Sequence, residues 1–284
     1  MSLNSVNTNL GASIALQSLN RTSSALQAVQ KQISTGYRVA DATDDGAAFA
    51  VAQRVRSDVG ALGTANQQLG NVKGLISTTL SGLTDVSDTL AAARKVLVNL
   101  ANSNTTGTTR AGYVAQYQSL VSTIKQNLQD ASYNGKTLIG NIGGASGFGA
   151  VAVVRNESGA TYHISTFSGS AFVASISFTA TQLGGAGTVA ALIGTAASAT
   201  FINKTTAIGT ELNSYGSASN YVDKQVSYNN DKIDALNGGL GSLIDADLAK
   251  ESAQLQSLQI RQQLGTQALS IANQAPQSLL SLFK

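Results

Sequence analysis

His163 is the one histidine of the 284-residue chain, and cysteine is absent. A Ser-His-Asp triad or a zinc centre would have to be assembled around that single imidazole. Thiolate chemistry and disulfides have no residue to use. No His-Glu-x-x-His run exists, which removes the helical metalloprotease site. Carboxylates cluster twice, in Asp44-Asp45-Gly46 and Asp245-Ala246-Asp247. Either could touch a divalent cation, but both stand at expected helix starts. There an acid caps free N–H groups and meets the positive end of the helix dipole. Gly238-Gly239-Leu240-Gly241 lacks the Lys-Ser/Thr of a phosphate loop and reads as a turn. The residues therefore call for no enzyme, no metal and no cofactor.

Composition narrows the class further. Eighteen Lys and Arg oppose 15 Asp and Glu, with no basic run, so no nucleic-acid partner is expected. Charged residues make up 12% of the chain, about half the usual share, and Ser, Thr, Asn and Gln supply the polarity. A single proline suits long unbroken helices. No apolar stretch of the ~18 residues needed to span a membrane occurs. The opening Met1-Ser2-Leu3-Asn4-Ser5 lacks the cationic-then-apolar pattern of a cleaved signal peptide.

The elements that would position these residues are organised from the ends inward. Met1–Ala40 carries only Arg21, Lys31 and Arg38 as charges, and Ser252–Lys284 only Arg261 and Lys284. Leu19, Leu26 and Ile33 fall seven apart, with Leu16 and Val29 assigned to the same face. Ile244, Leu248, Glu251, Leu255 and Leu258 alternate steps of four and three, and Leu264 and Ile271 repeat the spacing of seven. This is coiled-coil-like periodicity. It predicts a helix of ~35 residues, ~50 Å long, at each end. Gln and Asn on the polar faces suit burial against similar helices. The termini are then either an ordinary helical hairpin or an assembly interface.

Further in, Ala47 to Asn102 predicts a helix despite Gly60, Gly63, Gly70, Gly74 and Gly82. A shorter helix follows from Arg110 to Ser132, with Tyr117, Leu120, Val121, Ile124 and Leu128 on one side, stopping at Tyr133-Asn134-Gly135. Another runs from Phe201 to Leu236 and ends at Gly238-Gly239. Between them the period changes. Val151–Val154 and Tyr162-His163-Ile164 flank the turn Asn156-Glu157-Ser158-Gly159, a hairpin pattern. Phe172, Ala174, Ile176 and Phe178 alternate with Val173, Ser175, Ser177 and Thr179, a strand pattern. The fold class is mainly α with a small β-rich insertion. The N- and C-terminal regions form a long antiparallel bundle with coiled-coil-like termini around a central β domain. The layers are 1–43 with 245–284, then 44–140 with 201–244, then the insertion at 141–200.

Five runs carry a resemblance. Leu3-Asn4-Ser5-Val6-Asn7-Thr8-Asn9 resembles the start of bacterial flagellins, and Ile33-Ser34-Thr35-Gly36-Tyr37-Arg38-Val39 with Asp44-Asp45-Gly46-Ala47 their joining segment. Tyr133-Asn134-Gly135 resembles the family's Phe-Asn-Gly. Ile244–Glu251 is similar to the run opening the C-terminal helix, and Ala272–Leu280 to the closing one. The resemblance implies a secreted structural subunit that polymerises into the extracellular filament used for swimming. Subunits leave unfolded through the flagellar type III pathway and add beneath a cap. Implied partners are further copies of the chain in a helical homopolymer, an export chaperone, the cap protein and hook-associated proteins. The expected interface is Leu3, Asn7, Leu19, Leu26, Ile33 and Arg38 with Leu248, Leu255, Leu258, Leu264, Ile271, Gln274 and Pro276. Residues ~1–40 and ~245–284 are expected to fold on assembly.

Departures from the family pattern bear on function too. Where receptor-recognised flagellins carry Gln-Arg-x-Arg-Glu-Leu, this chain has Ala91-Ala92-Ala93-Arg94-Lys95-Val96, and Gln116 stands for an acid. Weak or no activation of the innate flagellin receptor is expected. Asn220-Tyr221 replaces a common Asn-Arg. Two alternatives share this architecture: a hook–filament junction protein, and a flagellin whose central domain is adhesive.

Overall fold

The computed structural model describes residues 9–140, 142, 148–194 and 200–281, the side chains at 200 and 275–281 excepted. Its helices are α1 (Leu10–Thr35), α2 (Gly46–Ala101), α3 (Gly107–Asp130), α4 (Gly169–Ile176), α5 (Ala180–Leu183), α6 (Ala186–Ile193), α7 (Thr200–Ile244) and α8 (Leu248–Ser281). Two strands, β1 (Val151–Val154) and β2 (Thr161–Ile164), complete it. The fold is mainly helical, with a small two-stranded sheet in the middle. The chain divides into a terminal unit, Met1–Asp58 with Asp234–Lys284, and a central unit, Val59–Ile233.

The central unit is built on a heptad that the glycines of α2 obscure in the sequence. Leu62, Leu69, Ile76, Leu83, Leu90 and Leu97 repeat every seven residues, and all are fully buried. Three residues after each come Ala65, Val72, Thr79, Val86, Ala93 and Leu100, buried as well. This is the two-position seam of a coiled coil. On α7 the matching row is Phe201, Ile208, Tyr215, Val222 and Asn229, again seven apart and buried. From α3 come Tyr117, Ile124 and Leu128. Thr79 returns its hydroxyl to the Leu75 carbonyl at 2.8 Å, so it enters the apolar row without an unpaired proton. Asn229 donates to Asn66 Oδ1 at 2.8 Å and to the Arg155 carbonyl at 3.0 Å. One buried amide with fixed partners sets the register of α7 against α2, a task apolar residues perform poorly.

The hairpin forms where the sequence places it. β1 and β2 are antiparallel, with Val151 opposite Ile164 and Val153 opposite Tyr162. Asn156 Oδ1 accepts from the Ala160 N–H at 3.0 Å, and Gly159 takes φ 78°, a conformation a side chain would oppose. The expected strand over Phe172–Thr179 is instead α4 and the turn after it. Phe172 and Ile176, four apart, both point inward, and the Ser177 N–H closes on the Val173 carbonyl at 3.0 Å. In so short an apolar run the two periods overlap, and burial of Phe172 and Ile176 decides for the helix. Phe167, Phe172, Phe178 and Phe201 share one core with α2, α3 and α7.

One further boundary differs from expectation. α7 does not stop at Gly238-Gly239 but continues through Gly241 to Ile244. Leu240, Leu243 and Ile244 pack there on Val39, Ala48 and Ala52. Each helical glycine costs ~1 kcal/mol, and burying one large aliphatic side chain offsets ~1.5–3 kcal/mol. α8 begins at Leu248, because Asp247 Oδ1 accepts from the Ala249 and Lys250 amides at 3.0 and 3.2 Å. After α3, Asn134 (φ 49°) and Gly135 (φ 72°) make the expected reversal.

Candidate assembly interface

Within the terminal unit, α1 and α8 run antiparallel. The Asn9 amide donates to the Ala272 carbonyl at 2.7 Å, Leu19 lies close to Gly265, and Tyr37 bridges to Asp245. A Cβ built on Gly265 would stand 3.2 Å from Leu19 Cδ1, so glycine there lets the helices approach. The row facing α8 is Ala12, Ala15, Leu19, Thr22, Leu26, Val29 and Ile33, spaced by threes and fours and half-buried or buried. Its counterpart is Glu251, Leu255, Leu258, Gln262, Gly265, Leu269 and Ala272. Only Val29 and Leu258 in these rows are fully enclosed.

Among the described residues, five apolar side chains of the pair point the other way. Leu10 is 66% exposed, Ile14 61%, Ile260 58%, Leu264 57% and Ile271 68%. Leu264 is six residues past Leu258, which at 3.6 residues per turn turns it about 120° away from that side of α8. Ile260 and Ile271 share that side. Each helix of the pair thus carries two apolar stripes, one spent on its partner and one open.

The joint between these helices and the start of α2 is tied by backbone and by charge. Gly36 caps α1 at φ 73°, its N–H reaching the Gln32 carbonyl at 2.8 Å. Arg38 donates its N–H to the Ile244 carbonyl at 2.7 Å and its guanidinium to that of Leu243, while the Ala246 N–H reaches Gly36 O at 2.9 Å. Lys31 Nζ meets Asp41 at 2.7 Å and Asp44 at 2.8 Å. The hydrogen bond from Lys31 holds both carboxyls below their ordinary range, and Asp41 raises Lys31 in return. Asp44 Oδ2 also accepts from the Ala40 and Asp41 amides, at 3.0 and 3.2 Å. Asp45 Oδ1 caps α2 through the Ala47 and Ala48 amides, both at 3.0 Å. The acidic clusters therefore serve as helix caps and loop braces. Among the described residues no group of three His, Cys, Asp or Glu is placed to hold a metal ion.

The sequence-predicted interface residues fall into distinct places. Leu19, Leu26, Ile33, Leu255 and Leu258 form the seam within the subunit. Leu248, Leu264, Ile271 and Gln274 are exposed, and Arg38 belongs to the joint. Leu3 and Asn7 lie outside the described residues, as does the side chain of Pro276. Leu10, Ile14 and Ile260 also face outward, outside the expected interface, although Leu10 and Ile14 are four apart. Leu16 and the Leu264–Ile271 pair keep helical spacings but leave the seam, because steps of three and four shared between two stripes look alike in one dimension.

The profile of the bacterial flagellin N-terminal helical region matches residues 6–143, and that of the C-terminal helical region residues 198–283. Flagellin FljM of Caulobacter vibrioides is 34% identical over the whole of both chains. A flagellin of Brucella melitensis is 33% identical over 99% of each. A putative flagellar hook-associated protein from Vibrio parahaemolyticus superposes with TM-score 0.55 at 16% identity, covering 71% of this chain and 100% of that one. At that identity the likeness concerns the fold alone. Full-length relatives above 30% identity, and both helical regions matched in order, place the chain in the bacterial flagellin family, the structural, non-catalytic subunits that form the extracellular flagellar filament.

Proposed function

We propose that this flagellin polymerises through the outward stripe of its α1–α8 pair. The observation that carries the reading is the solvent exposure of Leu10, Ile14, Ile260, Leu264 and Ile271 on helices that carry few charges to keep them solvated. An open helical polymer needs contacts that repeat without closing into a ring. A rod with one face paired inside the subunit and one face left over provides such a contact. In this reading 1–43 with 245–284 is the innermost layer, 44–140 with 201–244 the next, and 141–200 faces solvent. Leu248, Ile271, Gln274 and Pro276 then meet neighbouring subunits, while Leu19, Leu26, Ile33, Leu255 and Leu258 shape the rod that presents them.

Seeded polymerisation followed by electron microscopy tests this. Ile260→Asn and Ile271→Asn should leave the free subunit as stable as the parent. Each should raise the subunit concentration needed for growth by tenfold or more, since one lost aliphatic contact is worth ~1.5–3 kcal/mol and about 1.4 kcal/mol is a factor of ten. Normal filaments from the double variant would overturn the reading. Membership of the family supports the finer partners as well: unfolded export with a chaperone, addition under the cap protein, and junction with hook-associated proteins. Arg94 and Lys95 are exposed while Ala93 and Val96 are buried. A receptor expecting Glu at Lys95 therefore meets the opposite charge, and weak activation of a receptor reporter cell is expected.

A further inference from the structure

We propose that Tyr162 on β2 and Tyr221 on α7 form an oxidative cross-linking site, at which a one-electron oxidant joins the two rings as dityrosine and staples the hairpin to α7. Their ring centroids are 4.1 Å apart with an interplanar angle of 26°. Arg155 Nη1 donates to the Tyr221 hydroxyl at 3.2 Å, and the Arg155 carbonyl accepts from Gln225 and Asn229 of the same helix. These bonds tie the hairpin to α7 and keep the two rings in contact, so rotation about the tyrosine side-chain bonds suffices to bring the ortho carbons together. Both are half-buried, open enough to lose an electron to a small oxidant.

Composition directs the oxidation to these rings. The chain has no Cys, no Trp and one Met, so the usual competing sinks for an oxidising equivalent are nearly absent, and the eight tyrosines are what remains. Among the described residues the other ring pairs each include a phenylalanine, which cannot form a phenoxyl radical. Fixed proximity converts radical coupling from a bimolecular to an intramolecular step. Each phenol loses one electron and its hydroxyl proton, and the two radicals form a C–C bond between ortho carbons. The ortho hydrogens then return the phenol oxygens to O–H. In sum two electrons pass to two equivalents of the one-electron oxidant, two protons are released, and the subunit loses two hydrogen atoms.

The test is oxidation of the full-length subunit by a light-driven ruthenium sensitiser with persulfate. The expected product is a monomer lighter by two hydrogens, with dityrosine fluorescence and a digest in which the Tyr162 peptide is linked to the Tyr221 peptide. Tyr162→Phe and Tyr221→Phe keep the stacked rings and should each abolish the intramolecular link. Tyr228→Phe, at a residue 58% exposed, should leave it unchanged. Unfolding in urea before illumination should suppress it. A link that survives either Phe variant or urea, coupling only between molecules, or no dityrosine at all would overturn the proposal.

Discussion

Tyr117 donates its hydroxyl to the Ile176 carbonyl at 2.7 Å, and burial raises its phenol above the ordinary tyrosine range. The bond joins α3 to the end of α4 inside the core, so Tyr117→Phe removes one hydrogen bond while the Ile176 carbonyl keeps the Phe178 N–H at 3.0 Å. A loss of ~0.5–1.5 kcal/mol in the stability of the central unit follows, read from the urea midpoint. Lys31 presents the opposite case, an exposed charge cluster. Asp41 and Asp44 are depressed by the Lys31 hydrogen bond, so their stabilisation is present above the ordinary carboxylate value near ~4 and fades as pH falls through the lowered values. Lys31 is raised, chiefly by Asp41, so its share persists below its ordinary pKa and is lost as pH rises through the higher one. In Lys31→Gln the Ala40 and Asp41 amides, which donate to Asp44, should exchange faster than in the parent at neutral pH. The difference should close in acid and shrink in salt, which hydrogen-exchange protection factors measure.

Along the elements, α2 contains glycines with opposite roles. A Cβ at Gly82 would stand 2.7 Å from Ala131 Cβ and 3.3 Å from the Asn127 carbonyl, whereas Gly60 faces open space. Gly60→Ala should stabilise by up to ~1 kcal/mol through helix propensity. Gly82→Ala should destabilise by ~1–3 kcal/mol, because overpacking outweighs that gain. Thermal melting of the two variants would give shifts of opposite sign, and a stabilised Gly82→Ala would refute the close crossing of α2 and α3. Long periodic elements were legible from residues alone: α1, α2, α3 and α8 stand near their expected bounds, and Asp45 and Asp247 cap as their positions suggest. Phe172–Thr179 was misread because a short run fits two periods. Gly238–Gly241 was misread because the packing that holds a glycine-rich helix end comes from Val39 and Ala48, far away in sequence. Of the interface, the seam leucines were visible as heptads. The outward stripe was not, since spacing gives a face without saying what covers it.

For the molecule as a whole, the decisive quantity is how little the α1–α8 pair encloses by itself. Among the described residues its seam contains two fully buried positions, Val29 and Leu258, with half-buried leucine, isoleucine, glycine, alanine, glutamine, glutamate and threonine at the other inward positions. Ordering a residue costs ~1–2 kcal/mol of backbone entropy, and a full aliphatic burial returns ~1.5–3 kcal/mol, so a seam this thin sits near balance in isolation. The central unit, with twelve buried positions repeating along α2 alone, does not. Limited digestion of the free subunit with trypsin should therefore cut first at Arg21 in α1 and at Lys250 and Arg261 in α8. A fragment containing the central unit should persist. On the proposed reading filaments cover the outward stripe, and the same bonds should then resist, because binding that favours the paired state stabilises it by mass action. Equal resistance of Arg21 and Arg261 in subunit and filament would mean that the seam is stable unaided, and the coupling of terminal order to assembly would have to be abandoned.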